Sequence, residues 1–308
     1  MRYVILLIAV TAWGQSPLPC DAPERRQFDF WIGSWAVKTG NNTVGQSVVE
    51  RELNGCLLVE NWYGADGDRG KSLNWYEPAT KKWRQVYVGL AWHVEYTGEW
   101  RDGALRFEGK QRRTAGAEIA VRLTFTPLPD HRAKQHKERL AGDKWVDVYE
   151  FTYAATNMSR PEESSVKMEC KAPEQRQFDF WIGDWNVFGP KGRQVGTNRI
   201  DKVVNGCVLF ENWTGAQGGA GKSFNFYDTQ RKQWRQIWVS PQGSLNFQGE
   251  WRDGALRYTG QTPGAGGITE EKLTFTPNAD GTVRQYWEQS KDGGKTWTVA
   301  FDGKYVKK

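Results

Sequence analysis

The chain has 308 residues, a formal net charge of +6 at pH 7, 17 tryptophans and 34 glycines. Its length suggests two domains, and 14% aromatic residues interspersed with glycine favour strands and tight turns over helices. Basic and acidic residues are mostly mixed singly along the chain, apart from two nearby basic segments between Lys110 and Arg139. Nucleic-acid binding requires a basic face with interleaved aromatic residues, and no nucleic-acid partner is expected.

The N-terminal segment has the features of an export signal. Met1-Arg2 supplies a positive end, Tyr3–Val10 is a short apolar run, and Ala12-Trp13-Gly14 resembles a small-x-small cleavage site. The apolar run is much shorter than the ~20 residues that span a bilayer. Residues 1–19 are therefore predicted to be a signal peptide, and the protein is expected in the periplasm or outside the cell, without a stable membrane span.

After this segment, several sequence strings occur twice along the chain. RQFDFWIG occupies Arg26–Gly33 and Arg176–Gly183, and GEWRDGALR occupies Gly98–Arg106 and Gly249–Arg257. The strings NGC, ENW, GKS, WRQ and LTFTP also recur in the same order. The period far exceeds the roughly 20–50 residues of solenoid repeats, so each copy is predicted to be a domain with its own core. The predicted boundaries are repeat 1 over 20–154, a polar linker over 155–169 and repeat 2 over 170–308.

The four cysteines divide equally between the copies. In an oxidising compartment, one pair per repeat predicts the disulfides Cys20–Cys56 and Cys170–Cys207, which would tie each N-terminal arm to the rest of its repeat. Four free buried thiols are the alternative. Zinc is not expected, because no close spacing of cysteine and histidine occurs.

Each repeat is predicted to open with one or two helical turns. In repeat 1 these turns fall in Ala22–Ile32, where Pro23 and Glu24 are favourable residues near a helix start. Gly33 ends the helical segment, and Trp35 begins the first strand.

Short strands follow, separated by turn sequences rather than by gaps long enough for a helix. Asn54-Gly55 and Asp102-Gly103 are hairpin signals, and repeat 2 has Asn205-Gly206 and Asp253-Gly254 at matching places. After the first strand, those predicted in repeat 1 are Val44–Leu53, Cys56–Tyr63, Lys71–Tyr76, Lys82–Gly89, Trp92–Trp100, Ala104–Gly109, Glu118–Thr126, Ala133–Arg139 and Trp145–Tyr153. The fold class is therefore all-β: two tandem antiparallel up-and-down barrels of about ten strands each, closed so that no strand edge is exposed.

The start of each predicted barrel resembles a known superfamily. Gly33-Ser34-Trp35 and Gly183-Asp184-Trp185 resemble the Gly-x-Trp opening of the calycins, which include lipocalins, fatty-acid-binding proteins and nitrobindin. The ordered set FDFWIG-x-W, NGC, ENW, GKS and WRQ, closed by the segment Trp287–Trp297, is similar to an uncharacterised family of exported bacterial calycin-like domains. The resemblance implies a ligand-enclosing barrel and export, and it implies no particular reaction.

No cofactor is expected. Nitrobindin holds haem through a histidine, and haem is an alternative for repeat 1 alone, because His93, His131 and His136 all lie there. The GKS triplets do not form a phosphate loop, since Ala65 and Ala216 replace the glycine that this motif requires and strands flank the triplet on both sides.

Polar residues at alternate positions of three central strands are the candidate ligand contacts, because alternate residues share one face of a strand. The predicted set is Glu60, Trp62, Asn74, Tyr76 and Arg84 in repeat 1, with Glu211, Trp213, Asn225, Tyr227 and Arg235 in repeat 2. Buried ionic groups must be paired or must contact a ligand. The alternatives are internal salt bridges from Glu60 to Arg84 and from Glu211 to Arg235, or strands whose polar face points outward.

The predicted function is that of an exported binding protein, in which each barrel holds a small, partly apolar molecule. No Ser–His–Asp or Cys–His set occurs in both repeats, so no catalytic residues are assigned. Two alternatives remain at this point: an enzyme of the isomerase or hydratase kind that moves a proton with a buried glutamate, and a protein–protein interaction module. Contact between the two domains is also considered.

Overall fold

The computed structural model describes residues 20–113, 116–157, 170–264 and 266–308. It contains two closed antiparallel barrels in tandem, each of ten strands and each preceded by a short helical segment. Strands that are adjacent in sequence are adjacent in the sheet, and the first strand of each barrel closes against the last. The predicted fold class is confirmed. Residues 1–19, the predicted signal peptide, lie outside the described part of the chain.

The first barrel has strands β1 to β10. Their bounds are β1 Gly33–Thr39, β2 Asn42–Glu52, β3 Leu57–Gly64, β4 Arg69–Glu77, β5 Lys82–Gly89, β6 Trp92–Arg101, β7 Ala104–Arg113, β8 Ile119–Leu128, β9 Arg132–Ala141 and β10 Lys144–Ala155. The last strand thus extends one residue into the segment predicted as a linker, and the Thr156 amide still donates to the Ser34 carbonyl at 2.9 Å. The remainder of that segment, from residue 158, is not described.

The second barrel repeats this plan with strands β11 to β20. Their bounds are β11 Gly183–Phe188, β12 Gln194–Val203, β13 Val208–Gly215, β14 Ala220–Asp228, β15 Gln233–Ser240, β16 Gly243–Arg252, β17 Ala255–Gly264, β18 Gly267–Pro277, β19 Val283–Ser290 and β20 Thr298–Lys307. Among the described residues, no helix is long and apolar enough to cross a membrane.

The repeated sequence FDFW closes one end of each barrel. In repeat 1 it follows the helix α1 (Pro23–Arg26) and forms the 3-10 turn Asp29–Trp31. Phe28 and Trp31 are fully buried and stack with ring centroids 4.8 Å apart. Both rings also pack on Phe125 of β8, so the segment acts as an aromatic plug that leaves only the opposite end of the barrel open. In repeat 2 Phe178 and Trp181 form the same plug against Phe275.

The turn sequences adopt the left-handed backbone that their residues favour. Asp102 and Gly103 have φ of 51° and 71°, as a two-residue hairpin between right-twisted strands requires. At Asn54-Gly55 the connection is longer than the predicted two-residue turn. Leu53 also has a positive φ, and β3 resumes only after Cys56.

Both predicted disulfides are present, and no free cysteine occurs among the described residues. Cys20–Cys56 and Cys170–Cys207 join each N-terminal arm to the turn before the third strand of its barrel. Two structural disulfides indicate an oxidising, exported environment.

The barrels pack side by side through the outer faces of equivalent strands. One apolar cluster joins β3–β5 and the turn before β3 to β13–β15 and the turn before β13. Its buried members are Leu53, Cys56, Leu57, Val59, Leu73, Trp75, Val86, Val88, Val203, Val204, Val208, Phe210, Phe224, Phe226, Ile237 and Val239. Contact between the repeats, considered from the sequence, is therefore extensive.

Polar groups border this apolar contact. Arg235 Nη2 lies 2.8 Å from Glu95 Oε1 of the other barrel, and Ser244 Oγ donates to Glu77 Oε2 at 2.6 Å. His93 Nε2 lies 3.5 Å from Asp228 Oδ2, with both side chains buried. Burial lowers the pKa of His93 to about 4, so this histidine is neutral at pH 7.

Candidate functional site

Each barrel encloses a cavity between its aromatic plug and its open end. The cavity of repeat 1 has a volume of about 330 Å³, and that of repeat 2 about 160 Å³. The residues that line them come from the inward faces of equivalent strands. Both repeats therefore carry a candidate binding site in the same place.

A buried glutamate with no cationic partner lies at the inner wall of the first cavity. Glu60 on β3 is 4% exposed. Ser47 Oγ donates to its Oε1 at 3.0 Å, and Ser72 Oγ donates to its Oε2 at 2.9 Å. Among the described residues, no lysine or arginine lies within ion-pairing distance of this carboxyl group. Burial raises the pKa of Glu60 to about 7, against the lowering effect of the two hydroxyl donors.

An amide network supports this carboxyl group from below. Asn74 Nδ2 donates to Ser72 Oγ at 2.8 Å and to the Leu58 carbonyl at 3.2 Å, and Gln85 Nε2 donates to Asn74 Oδ1 at 2.5 Å. All these side chains are buried. The network fixes the orientation of Ser72 and so of the carboxylate oxygen that it contacts.

Repeat 2 reproduces the arrangement around Glu211, which is 3% exposed. Asn198 Nδ2 donates to its Oε1 at 2.7 Å and Ser223 Oγ to its Oε2 at 2.5 Å, so asparagine replaces the first serine. Asn225 and Gln236 complete the same amide network. Burial again raises the pKa of the glutamate to about 7.

Aromatic rings form most of the remaining wall of both cavities. In repeat 1 they are Trp62, Tyr87, Trp92, Tyr96, Tyr149, Phe151 and Tyr153. In repeat 2 they are Trp213, Trp238, Phe247, Trp287, Phe301 and Tyr305. Gln135 and Gln285 add an amide at equivalent positions, each accepting a hydrogen bond from a lining tyrosine, Tyr153 or Tyr305. The sites are thus largely apolar cavities with a few fixed polar groups, as is typical of small-molecule pockets.

The open ends of the two cavities differ in charged residues. Asp66 and Asp68 line the mouth in repeat 1, where repeat 2 has Gln217 and Gly219. Lys137 of β9 lies behind Trp92, with its Nζ 4.2 Å from the ring centroid and 2.6 Å from Gln111 Oε1. Repeat 2 has Trp287 in place of this lysine, and its indole Nε1 donates to buried Glu271 at 2.7 Å.

The structure brings some of the predicted residues to the cavities and not others. Glu60, Trp62, Glu211 and Trp213 line them. Asn74 and Asn225 lie beneath, in the amide networks. Tyr76 and Tyr227 point inward but at the plugged end, where each packs edge-on against a tryptophan of the plug region, Trp83 or Trp234.

Arg84 and Arg235 do not lie in the cavities, contrary to the expectation. The residues on either side of each arginine point inward, so the arginine points outward. Arg235 binds Glu95 and Asn246 at the contact between the barrels, at 2.8 and 2.7 Å. Internal salt bridges from Glu60 to Arg84 or from Glu211 to Arg235 are therefore absent as well.

Several residues that line or support the cavities were not predicted from the sequence. Gln85 and Gln236 are in the recurring WRQ string, one residue after Arg84 and Arg235. The recurrence of this string marks the glutamine as much as the arginine. Tyr153 and Tyr305 also recur at matching places. Ser47 and Asn198 differ between the copies and gave no signal.

None of the three histidines lines either barrel cavity. His93 lies in the contact between the barrels, His131 is exposed in a turn, and His136 lies on the outer face of β9, 2.8 Å from Asp147. A histidine ligand for haem in repeat 1 has no support in this geometry. The described residues also contain no cluster of His, Cys, Asp or Glu that could hold a metal ion.

Comparison with known proteins adds no relative. No protein-family model matches the chain, and no curated protein matches its sequence at a significant level. The function must therefore be argued from the two cavities themselves.

Proposed function

We propose that the protein is an exported two-site carrier, in which each barrel holds one small, largely apolar molecule with its polar group against Glu60 or Glu211. The observation that carries the proposal is the recurrence, in both repeats, of an aromatic cavity above a buried carboxyl group without a counter-ion. Such a carboxyl group is costly to bury. Its retention in both copies is expected if it contacts a ligand.

Two further features agree with an exported, barrel-shaped carrier. The plugged, ligand-sized barrel agrees with the resemblance to exported calycin-like domains, a family assignment that remains part of the proposal. The two disulfides agree with a periplasmic or extracellular location, where a carrier meets small molecules before uptake.

Filling the cavities tests the carrier proposal. Leu123 and Leu273 line the two cavities at equivalent positions, so Leu123→Trp or Leu273→Trp should abolish binding in the altered barrel alone. Calorimetric titration with 2-phenylethanol, a compact neutral probe, should show one site per barrel in the unaltered protein, one site in either variant and none in the double variant.

The controls separate a filled cavity from a damaged fold. Ile268→Trp adds the same side chain at an exposed position of β18 and should leave both sites intact. Overpacking costs about 1–3 kcal/mol, so thermal unfolding is measured for every variant, and the milder Leu123→Phe and Leu273→Phe should weaken binding without abolishing it. Unchanged binding in folded Trp variants would exclude the cavities as sites.

A second function, acid–base catalysis in the same cavities, is supported by the placement of Glu60 and Glu211, two buried carboxyl groups that each line a cavity. Burial places the pKa of Glu60 and Glu211 at about 7, where a carboxyl group exchanges protons efficiently at neutral pH. Loss of turnover in Glu211→Gln, with binding retained, would assign an isomerase- or hydratase-like reaction to this residue.

A further inference from the structure

Resting on the carrier proposal, we infer that the molecule held in both barrels is an organic cation: an amine with a compact apolar body, whose ammonium group lies against Glu60 or Glu211. The chain as a whole carries a formal charge of +6, yet the ionisable groups that line its cavities, apart from tyrosines, are all carboxyl groups. The sign of charge in the cavities is thus opposite to that of the protein.

The carboxyl groups are placed where an ammonium group can reach them. Glu60 lines the inner wall of the first cavity, and Asp66 and Asp68 line its mouth. In repeat 2 Glu211 takes the inner position. Among the described residues, no lysine or arginine lines either cavity, so each inner glutamate lacks the counter-ion that a bound ammonium would supply.

The aromatic walls favour the same class of ligand. An ammonium group is attracted to the face of an aromatic ring within about 6 Å of its centroid, most strongly to tryptophan. Trp62 lines the first cavity, and Trp213, Trp238 and Trp287 line the second. In repeat 2 the Trp287 indole donates a hydrogen bond to Glu271. Donation to a carboxylate increases the electron density of the ring and so strengthens its attraction for a cation.

Lys137, a buried lysine near the first cavity, already uses this mode of binding. Lys137 Nζ lies over the Trp92 ring, which also stacks with Tyr87. Burial lowers the pKa of Lys137 to about 7, with Arg113 adding to the effect, so the repulsion it exerts on a bound cation is reduced at neutral pH. Repeat 2 has no such lysine, which makes its cavity the cleaner of the two to test.

The tyrosines near the glutamates stay neutral across the useful pH range. Burial raises the pKa of Tyr87, Tyr149 and Tyr153, and the negative charge of Glu60 adds to the effect. Burial likewise raises the pKa of Tyr258 and Tyr305, which respond to Glu211. Glu211 is therefore the group in the second cavity whose charge changes near neutrality.

A matched trio of probes tests the inference: 2-phenylethylamine, 2-phenylethanol and phenylacetate share an aromatic body and differ in charge. The full chain with Leu123→Trp is titrated calorimetrically, so that repeat 2 is read alone. At pH 8 the amine should bind about tenfold tighter than the alcohol, since a charged hydrogen bond replaces a neutral one, and phenylacetate should bind weakest.

The pH dependence and a conservative variant identify the group responsible. Amine affinity should fall about tenfold per unit as pH drops below 7, because Glu211 takes up a proton, while alcohol affinity should stay constant. Glu211→Gln should reduce the amine to the affinity of the alcohol. Glu250→Gln, an exposed glutamate on the outer face of β16, is the matched control and should change neither.

The possible outcomes separate the choice of ligand class, the role of Glu211 and the carrier function. Equal affinities for amine and alcohol, or tightest binding of phenylacetate, would overturn the assignment to cations and leave the carrier proposal standing. Amine preference that survives Glu211→Gln would overturn the role given to this residue. Failure of all three probes to bind would remove the carrier proposal and the inference together.

Discussion

Trp181→Ala should lower the free energy of unfolding of the second barrel by about 3–5 kcal/mol, the usual cost of deleting a fully buried indole. The Trp181 ring is fully buried and packs on Phe178, Phe275 and Tyr305. Its loss leaves a cavity at the plugged end, which the rigid sheet around it cannot collapse to fill. Urea denaturation followed by near-ultraviolet circular dichroism measures the change.

The matched control is Trp297→Ala, in the turn between β19 and β20. That indole lies over Lys272 with the ammonium 3.7 Å from the ring centroid and is only half-buried, so its removal should cost less than about 1 kcal/mol. A similar loss in both variants would show that the FDFW segment does not act as a plug. Trp31→Ala should behave like Trp181→Ala in the first barrel.

Glu60→Gln combined with Glu211→Gln should make the protein more stable at alkaline pH, by about 3 kcal/mol per site relative to the unaltered protein. Burial raises the pKa of both carboxyl groups from 4.5 to about 7. Below pH 4.5 each is protonated in the folded and the unfolded chain. Between pH 4.5 and 7 the carboxyl group ionises in the unfolded chain but stays largely protonated in the folded one, so folded stability falls over this range and stays low above it. The glutamine variant escapes this loss.

The measurement is the difference in unfolding free energy between variant and unaltered protein at pH 5 and at pH 8.5. Taking a difference cancels the titration of groups that both proteins share. Glu108→Gln with Glu250→Gln, two exposed glutamates at the surface of the two barrels, should give a difference that does not change with pH. A flat difference for the buried pair as well would contradict the raised pKa of Glu60 and Glu211.

The fold could be predicted from the sequence because its signals are local and occur twice. The hairpin turn at Asp102-Gly103 fixes the register of the strands around it, and its copy at Asp253-Gly254 confirms it independently. Each repeat contains two cysteines, so each cysteine has a single possible partner within its repeat. These features depend on neighbours in sequence and not on where a face points.

The candidate site could be predicted only in part, because both faces of the central strands are buried. No solvent-exposed polar face then marks which side of the strand points outward. On β3 the inner residue Glu60 and the outer residues Val59 and Asn61 are all buried, since the second barrel covers the outside. Alternation then shows that two faces exist and not which one faces the cavity. Arg84 was assigned to the wrong face for this reason, and Gln85 was missed.

The packing of equivalent strands has a consequence for how the chain is organised. The same patch of each repeat meets its counterpart, which is the isologous geometry of a two-fold homodimer. A covalent connection makes this association intramolecular, so it no longer depends on protein concentration. The two copies were thereby free to diverge, and mouths as different as Asp66 with Asp68 and Gln217 with Gly219 coexist in one assembly of fixed stoichiometry.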